Sequence, residues 1–297
     1  MSYEGCPIGN ISSEFVYMPK EGGLEHYVDG TLSMDDNEVC TLSGTYDSRG
    51  EGMLDAHMDM SRTPLNLMNG FIPDRIIGFK GYAQGNVTIK GTLSRPQVNG
   101  EVFFDSAYVV SEPYGVQMRL CDDPVTITDS HLQFENFQMF ATNGSPLTLY
   151  GSFDFADMDA MRLDLRMRAS NYLLINSKET ARSEAYGKAY VNFLGAVNGR
   201  LDALRMRGRL DVLGSTDITY ILRDSPLSSD NRLEGLVTFV DFRRPEQTTV
   251  QRPPINGLNM DLTVSIDEGA HVLCALNTDT SNYVDILGGG DLRMLYD

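Results

Sequence analysis

The chain has 297 residues, with 24 Lys and Arg against 41 Asp and Glu and a formal net charge of −17. Its 41% hydrophobic and 22% charged residues describe neither a disordered polyanion nor a membrane-embedded helix bundle. The acidic balance argues against nucleic acid as a partner, because phosphate binding needs clustered cations, and any contact with an anionic lipid surface would have to overcome the same repulsion.

Met1-Ser2-Tyr3-Glu4-Gly5-Cys6 has no basic start and no apolar run, so it does not read as a signal peptide. No stretch approaches the roughly 20 apolar residues of a spanning helix. The expectation is a cytosolic protein or one piece of a longer chain. The four cysteines (Cys6, Cys40, Cys121, Cys274) are widely spaced and form no C-x-x-C, which excludes a zinc ribbon and a dense disulfide scaffold. One bridge stays open, with unpaired small hydrophobes the better reading.

In chain order, Gly30-Thr-Leu32 and Thr41-Leu-Ser-Gly44 open a strand-like region. Asp55-Ala-His57-Met-Asp59 alternates, with the charged set on one side and Ala56 and Met58 on the other. Thr63-Pro64 through Gly70 is the best helix candidate, with Pro in the first turn and Gly as a stop, and a second short turn is expected over Pro73–Gly78. Leu147–Phe155, Met161–Arg168, Leu204–Val212 and Met260–Asp267 each alternate strictly between apolar (or Gly) and polar positions. On a strand that period places all apolar side chains on one face. It suits antiparallel sheet with one solvated side, since a buried parallel sheet reads as continuous apolar runs. Asn171–Glu184 reads as a strand running into a polar excursion, and Arg223–Arg232 as a loop. The segment 243–254, with three prolines and no periodicity, is the most linker-like. Gly91…Gly100 aligns without gaps on Gly199…Gly208, suggesting a strand-turn-strand unit used repeatedly, with Gly marking bulges, corners or close backbone approach.

Chemistry-bearing groups are sparse. Asp55, His57 and Asp59 could hold a divalent metal but read better as a wet strand face. His26, His131 and His271 have no Ser or Cys nucleophile beside them in sequence, and Gly288-Gly-Gly290 lacks the Lys of a phosphate cradle. No catalytic, metal or cofactor residue is assigned, and no enzyme is expected. A carbohydrate-active β fold would show aromatic platforms, yet the chain has no Trp.

The apolar face is the remaining functional candidate. If two sheets close on each other it is core, as in a structural or adhesive sandwich or solenoid; if one sheet curls into an open trough it lines a groove. The residues expected to face inward are Leu149, Phe153, Phe155, Leu163, Leu165, Met167, Leu204, Met206, Leu210, Val212, Leu262, Val264 and Ile266.

Taken in order, Pro64-Leu-Asn-Leu-Met68, Gly85–Val102, Leu147–Phe153, Ala185-Tyr-Gly187-Lys-Ala-Tyr-Val191, Leu233–Phe242, Asn259–Val264 and Val284–Leu292 resemble the carboxy-terminal region of the TamB family of AsmA-like envelope proteins, with a methionine- and acid-rich flavour similar to Bacteroidetes members. The likeness covers about four-fifths of the chain and rests on the order and spacing of soft motifs. It implies an all-β fold: one elongated, curved antiparallel sheet, a β-taco with an apolar interior, one or two short helices and some 16 to 18 strands. It implies a single domain over 1–297, the carboxy-terminal portion of a longer periplasmic protein anchored in the inner membrane by an amino-terminal helix. It implies work with a TamA-like outer-membrane barrel of the BamA class, in outer-membrane protein assembly or phospholipid transport, the cargo being acyl chains or nascent β-strands. No catalytic residue or cofactor comes with it.

Overall fold

The computed structural model describes residues 2–3, 6–7, 10–20, 22–71, 78–92, 94–157, 159–180, 183–221, 258–275 and 282–296. The expected loop at 223–232, the linker-like 243–254 and the second helical turn all fall wholly or largely outside these residues. A two-residue ribbon, β1 (Ser2–Tyr3) with β2 (Cys6–Pro7), stands apart from one 18-stranded sheet.

The sheet begins as a meander: β3 (Ile11–Pro19), β4 (Glu25–Met34), β5 (Asn37–Asp47), β6 (Met53–Pro64), β7 (Gly78–Gly91) and β8 (Pro96–Ser111) pair antiparallel in sequence order. Residues 11–60 therefore join the same sheet, while β1 and β2 do not. The next rung is one interrupted strand, β9 (Val116–Leu120) and β10 (Val125–Thr128), both pairing β8 on one side and β11 (His131–Phe140) on the other. β12 (Pro146–Asp154), β13 (Arg162–Ser177) and β14 (Ala185–Arg200) continue the meander. β15 (Ala203–Val212) and β16 (Asp217–Ile221) share the next rung against β14.

Two pairings depart from the all-antiparallel expectation. β17 (Leu258–Ile266) lies parallel to β15, and β18 (His271–Ala275) parallel to β16. A parallel neighbour needs a crossover connection rather than a tight turn, and here residues 222–257 stand between the two. β19 (Tyr283–Leu287) and β20 (Gly290–Tyr296) then pair antiparallel with β18 and β17. With β9/β10, β15/β16, β17/β18 and β19/β20 each filling one rung, the eighteen strands make fourteen rungs, roughly 60 Å across at about 4.8 Å per strand. That is fewer than the strand count suggested, because Pro124, Gly214 and Gly269 fall in the interruptions and break single rungs in two.

The expected first helix is instead a short 3-10 helix, Leu65–Phe71. Asn66, Asn69 and Gly70 are poor helix formers, so the segment sustains only about two tight 3-10 turns rather than an α-helix. Asn69 fixes it: its side chain accepts from the Phe79 N–H at 2.6 Å and donates to the Phe79 carbonyl at 3.0 Å. Leu65 is thereby set into a cluster with Ala83, Ala107, Leu120, Val125, Phe137 and Leu149.

The echo between Gly91…Gly100 and Gly199…Gly208 marks two equivalent hairpins. Gly91 ends β7 opposite Pro96, and Gly199 sits near the end of β14 opposite Leu204, both at positive φ. The turn region Asn171–Glu184 is a strand followed by an excursion, as the sequence suggested. Gly288 and Gly289 lie in the short joint between β19 and β20.

Candidate functional site: the apolar face

Register places the alternating segments on a common face. One cross-strand row runs Phe15, Gly30, Leu42, Met58, Val87, Gly100, Ile127, Leu132, Phe153, Leu163, Gly199, Leu204 and Leu258. The next runs Phe134, Gly151, Leu165, Val197, Met206 and Met260; a third Phe137, Leu149, Met167, Gly195, Gly208, Leu262 and Met294. A fourth joins Met139, Leu147, Ala169, Phe193, Leu210, Val264 and Leu292, and Val212 lies between Val191 and Ile266. Twelve of the thirteen sequence-predicted residues fall in these rows. Phe155 lies just past the end of β12, on the side of Phe153, with the two rings stacked at 5.8 Å. It packs on Val87, Val98 and Ile127.

The rows also contain residues that the four strict segments did not reveal: Leu42, Met58, Val87, Ile127, Phe134 and Phe137. The Val87-Thr-Ile89 alternation was the available signal; the β11 pair was hidden by a bulge between Phe134 and Phe137, which breaks period two.

Glycines punctuate the apolar side, where a side chain would crowd the neighbouring backbone. A Cβ on Gly100 would lie 2.2 Å from the Asn86 carbonyl oxygen. Removing a side chain at such places lets adjacent rungs approach and supplies curvature.

Burial differs along this face. Leu149, Leu262 and Val264 are buried, whereas Leu163, Leu165 and Met167 on β13 and Leu204, Met206 and Leu210 on β15 remain partly exposed. The opposite face of the same strands is wet, with Arg162, Asp164, Arg166, Arg168, Arg205, Arg207 and Arg209 all exposed. Inward residues on the central strands of a solid sandwich would be fully covered.

One margin of the face is closed. β13 and β14 run past the tip of the β11–β12 hairpin and bend over it at two register shifts, between Ala169 and Tyr172 and between Leu173 and Ile175. The shift makes Tyr172 and Leu173 consecutive buried residues, in a cluster with Ala141, Ala169 and Val191. The overhang is latched to the β8–β9 turn: Gly115 O accepts from Asn176 N at 3.2 Å, and Pro113 O from Glu184 N at 2.7 Å.

The polar candidates belong to the exterior, except His26, which shares the inner side of β4 with Val28 and Gly30. Ala56 is buried while Asp55, His57 and Asp59 are exposed, with His57 Nε2 3.2 Å from Asp59 and Lys90 3.2 Å from Asp55. His131 Nε2 lies 3.6 Å from Asp154, His26 stacks on Tyr17 at 4.3 Å, and His271 sits between Asp217 and Asp285. Among the described residues no three His, Cys, Asp or Glu side chains converge on a metal position. Cys40, Cys121 and Cys274 are free thiols, and burial pushes the Cys40 and Cys274 pKa values up. No helix among the described residues is long and apolar enough to cross a membrane. Comparison with family models, with curated proteins and with solved structures returns no match to this chain.

Proposed function

We propose that the apolar face is a groove that shelters extended apolar cargo, phospholipid acyl chains or nascent outer-membrane β-strands, in a TamB-like periplasmic protein working with a TamA-like outer-membrane barrel. The observation that carries this reading is the set of unbroken apolar rows over β11–β17 whose Leu163, Leu165, Met167, Leu204, Met206 and Leu210 stay partly exposed. Each buried methylene is worth about 0.8 kcal/mol, so an acyl chain laid along such a row gains substantially. The rows offer repeated Leu, Met and Phe without a fixed polar anchor, and such a surface holds every tail comparably, which suits sliding rather than capture.

The test is mass spectrometry of organic extracts from the natively purified chain. Stoichiometric phospholipid is expected; a lipid-free protein whose inward residues are protected from solvent-borne labelling would favour the solid-core alternative.

A further inference from the structure

We propose that the exterior of β13–β15 is a docking surface for anionic phospholipid headgroups, independent of any cargo in the groove. The chain carries a net charge of −17, yet Arg162, Arg166 and Arg168 on β13 and Arg205, Arg207 and Arg209 on β15 are all exposed. Register turns that sequence run into an array. Arg166 and Arg207 both pair with Ala196, and Arg168 and Arg209 both pair with Leu194. The four guanidinium-bearing positions thus sit at the corners of a rectangle about 10 Å across two rungs and about 7 Å along the strand. Its middle is neutral, held by Ala196 and Leu194.

Three features point to a lipid surface rather than to a soluble polyanion. Leu194 is 64% exposed inside the rectangle and Tyr150, the partner of Arg166, is 49% exposed at its border. A large apolar side chain and a tyrosine ringed by arginines match the headgroup–acyl boundary, where the apolar part enters and the cations meet phosphate. Beside Leu194 lies a depression of about 370 Å³ bounded by Arg168, Ser170, Asn192 and Arg209. Asp211 holds the Arg209 Nε at 2.6 Å and so orients that guanidinium, whereas Arg166, Arg168 and Arg205 form no ion pair among the described residues.

Three carboxylates border the array: Asp164 is exposed between Arg162 and Arg166, Asp211 is held by Arg209, and Asp261, opposite Arg207, is held by Arg293. The more distant acidic residues do not cancel the patch at contact. Charges separated by more than a Debye length, about 8 Å at physiological ionic strength, are largely screened, and the array acts within that distance. Repulsion inferred from net charge alone therefore misses the local field.

The test is co-sedimentation of the full chain with vesicles of phosphatidylcholine alone or containing phosphatidylglycerol. Binding to the anionic vesicles is expected, weakening steeply with added salt. The Arg166→Ser/Arg168→Ser/Arg207→Ser variant should lose at least tenfold in apparent affinity. Lys20→Ser/Arg62→Ser/Lys90→Ser, which changes net charge equally at distant sites, should bind as the native chain does. Leu194→Ser should weaken binding at high salt as well as low, because its contribution is not electrostatic. Circular dichroism checks that each exposed substitution leaves the sheet intact. Absence of binding by the native chain, equal loss in both triple variants, or equal competition by soluble polyglutamate would overturn the proposal.

Discussion

Gly151 on β12 lies directly opposite Leu165 on β13, and a Cβ at Gly151 would fall 1.9 Å from the Asp164 carbonyl oxygen. The backbone there has φ +132°, a conformation that side-chain-bearing residues rarely adopt. Strain and overlap act together, because relieving the clash requires opening the β12–β13 ladder. Gly151→Ala is expected to destabilise the sheet by about 1–3 kcal/mol, whereas Gly144→Ala, in a turn with φ +81° and open space around it, should cost only the left-handed penalty of about 1–2 kcal/mol. Chemical denaturation of the two variants checks the ordering.

Tyr172 is 2% exposed and its hydroxyl has no hydrogen-bond partner among the described residues. Burial raises its phenol pKa well above the ordinary range. The ring holds the overhang of β13 and β14 in place, while the hydroxyl contributes a desolvation cost. Removing an orphan polar group while keeping the ring is neutral or favourable. Tyr172→Phe should therefore match or exceed native stability by up to about 1 kcal/mol, while Tyr172→Ala should lose about 3–5 kcal/mol through the cavity it leaves. Thermal unfolding of both separates the two contributions.

His271 joins β16, β18 and β19 through its ring: Nδ1 lies 2.8 Å from Asp217 and Nε2 2.9 Å from Asp285. Hydrogen bonds to Asp217 first and Asp285 second raise its pKa above the usual histidine value. A raised folded-state pKa gives stability that is complete below the unfolded value of about 6.5 and is lost as pH rises through the folded value. Because the ring is exposed, the effect is modest and salt-sensitive. The gap in denaturation midpoint between the native chain and His271→Gln should be wider near pH 5.5 than near pH 8.5 (both about one unit or more from the reference value). Equal gaps at both ends would show that the two carboxylates do not act on the imidazole.

The alternating segments were legible because every side chain on a half-wet strand answers to the same two-residue period. Leu163, Leu165 and Met167 against Arg162, Asp164 and Arg166 could be assigned to faces from sequence alone. What period two could not supply was adjacency. The parallel junction of β15 with β17 depends on a crossover whose path no local pattern encodes. The arginine rectangle exists only because β14 places Ala196 and Leu194 between two basic strands. The bulges at Phe134–Phe137 and Ala169–Tyr172 broke the period just where the sheet bends. The α-helical reading of residues 63–70 erred for a related reason, since Pro and Gly punctuation marks a short 3-10 helix as readily as an α-helix.

The central claim, that the apolar rows stay available to a guest, is tested most directly by a photo-crosslinking amino acid placed at Leu165 or Met206 on the inner face and at Thr88 or Lys90 on the exposed outer side of β7. Acyl-chain adducts are expected at Leu165 and Met206 and not at Thr88 or Lys90, and with the probe at Met206, Leu165→Asp with Leu210→Asp should abolish them while the chain remains folded. Adducts absent from the inner positions, or a double variant that unfolds because a buried charge has no partner, would show that the face is sealed core instead.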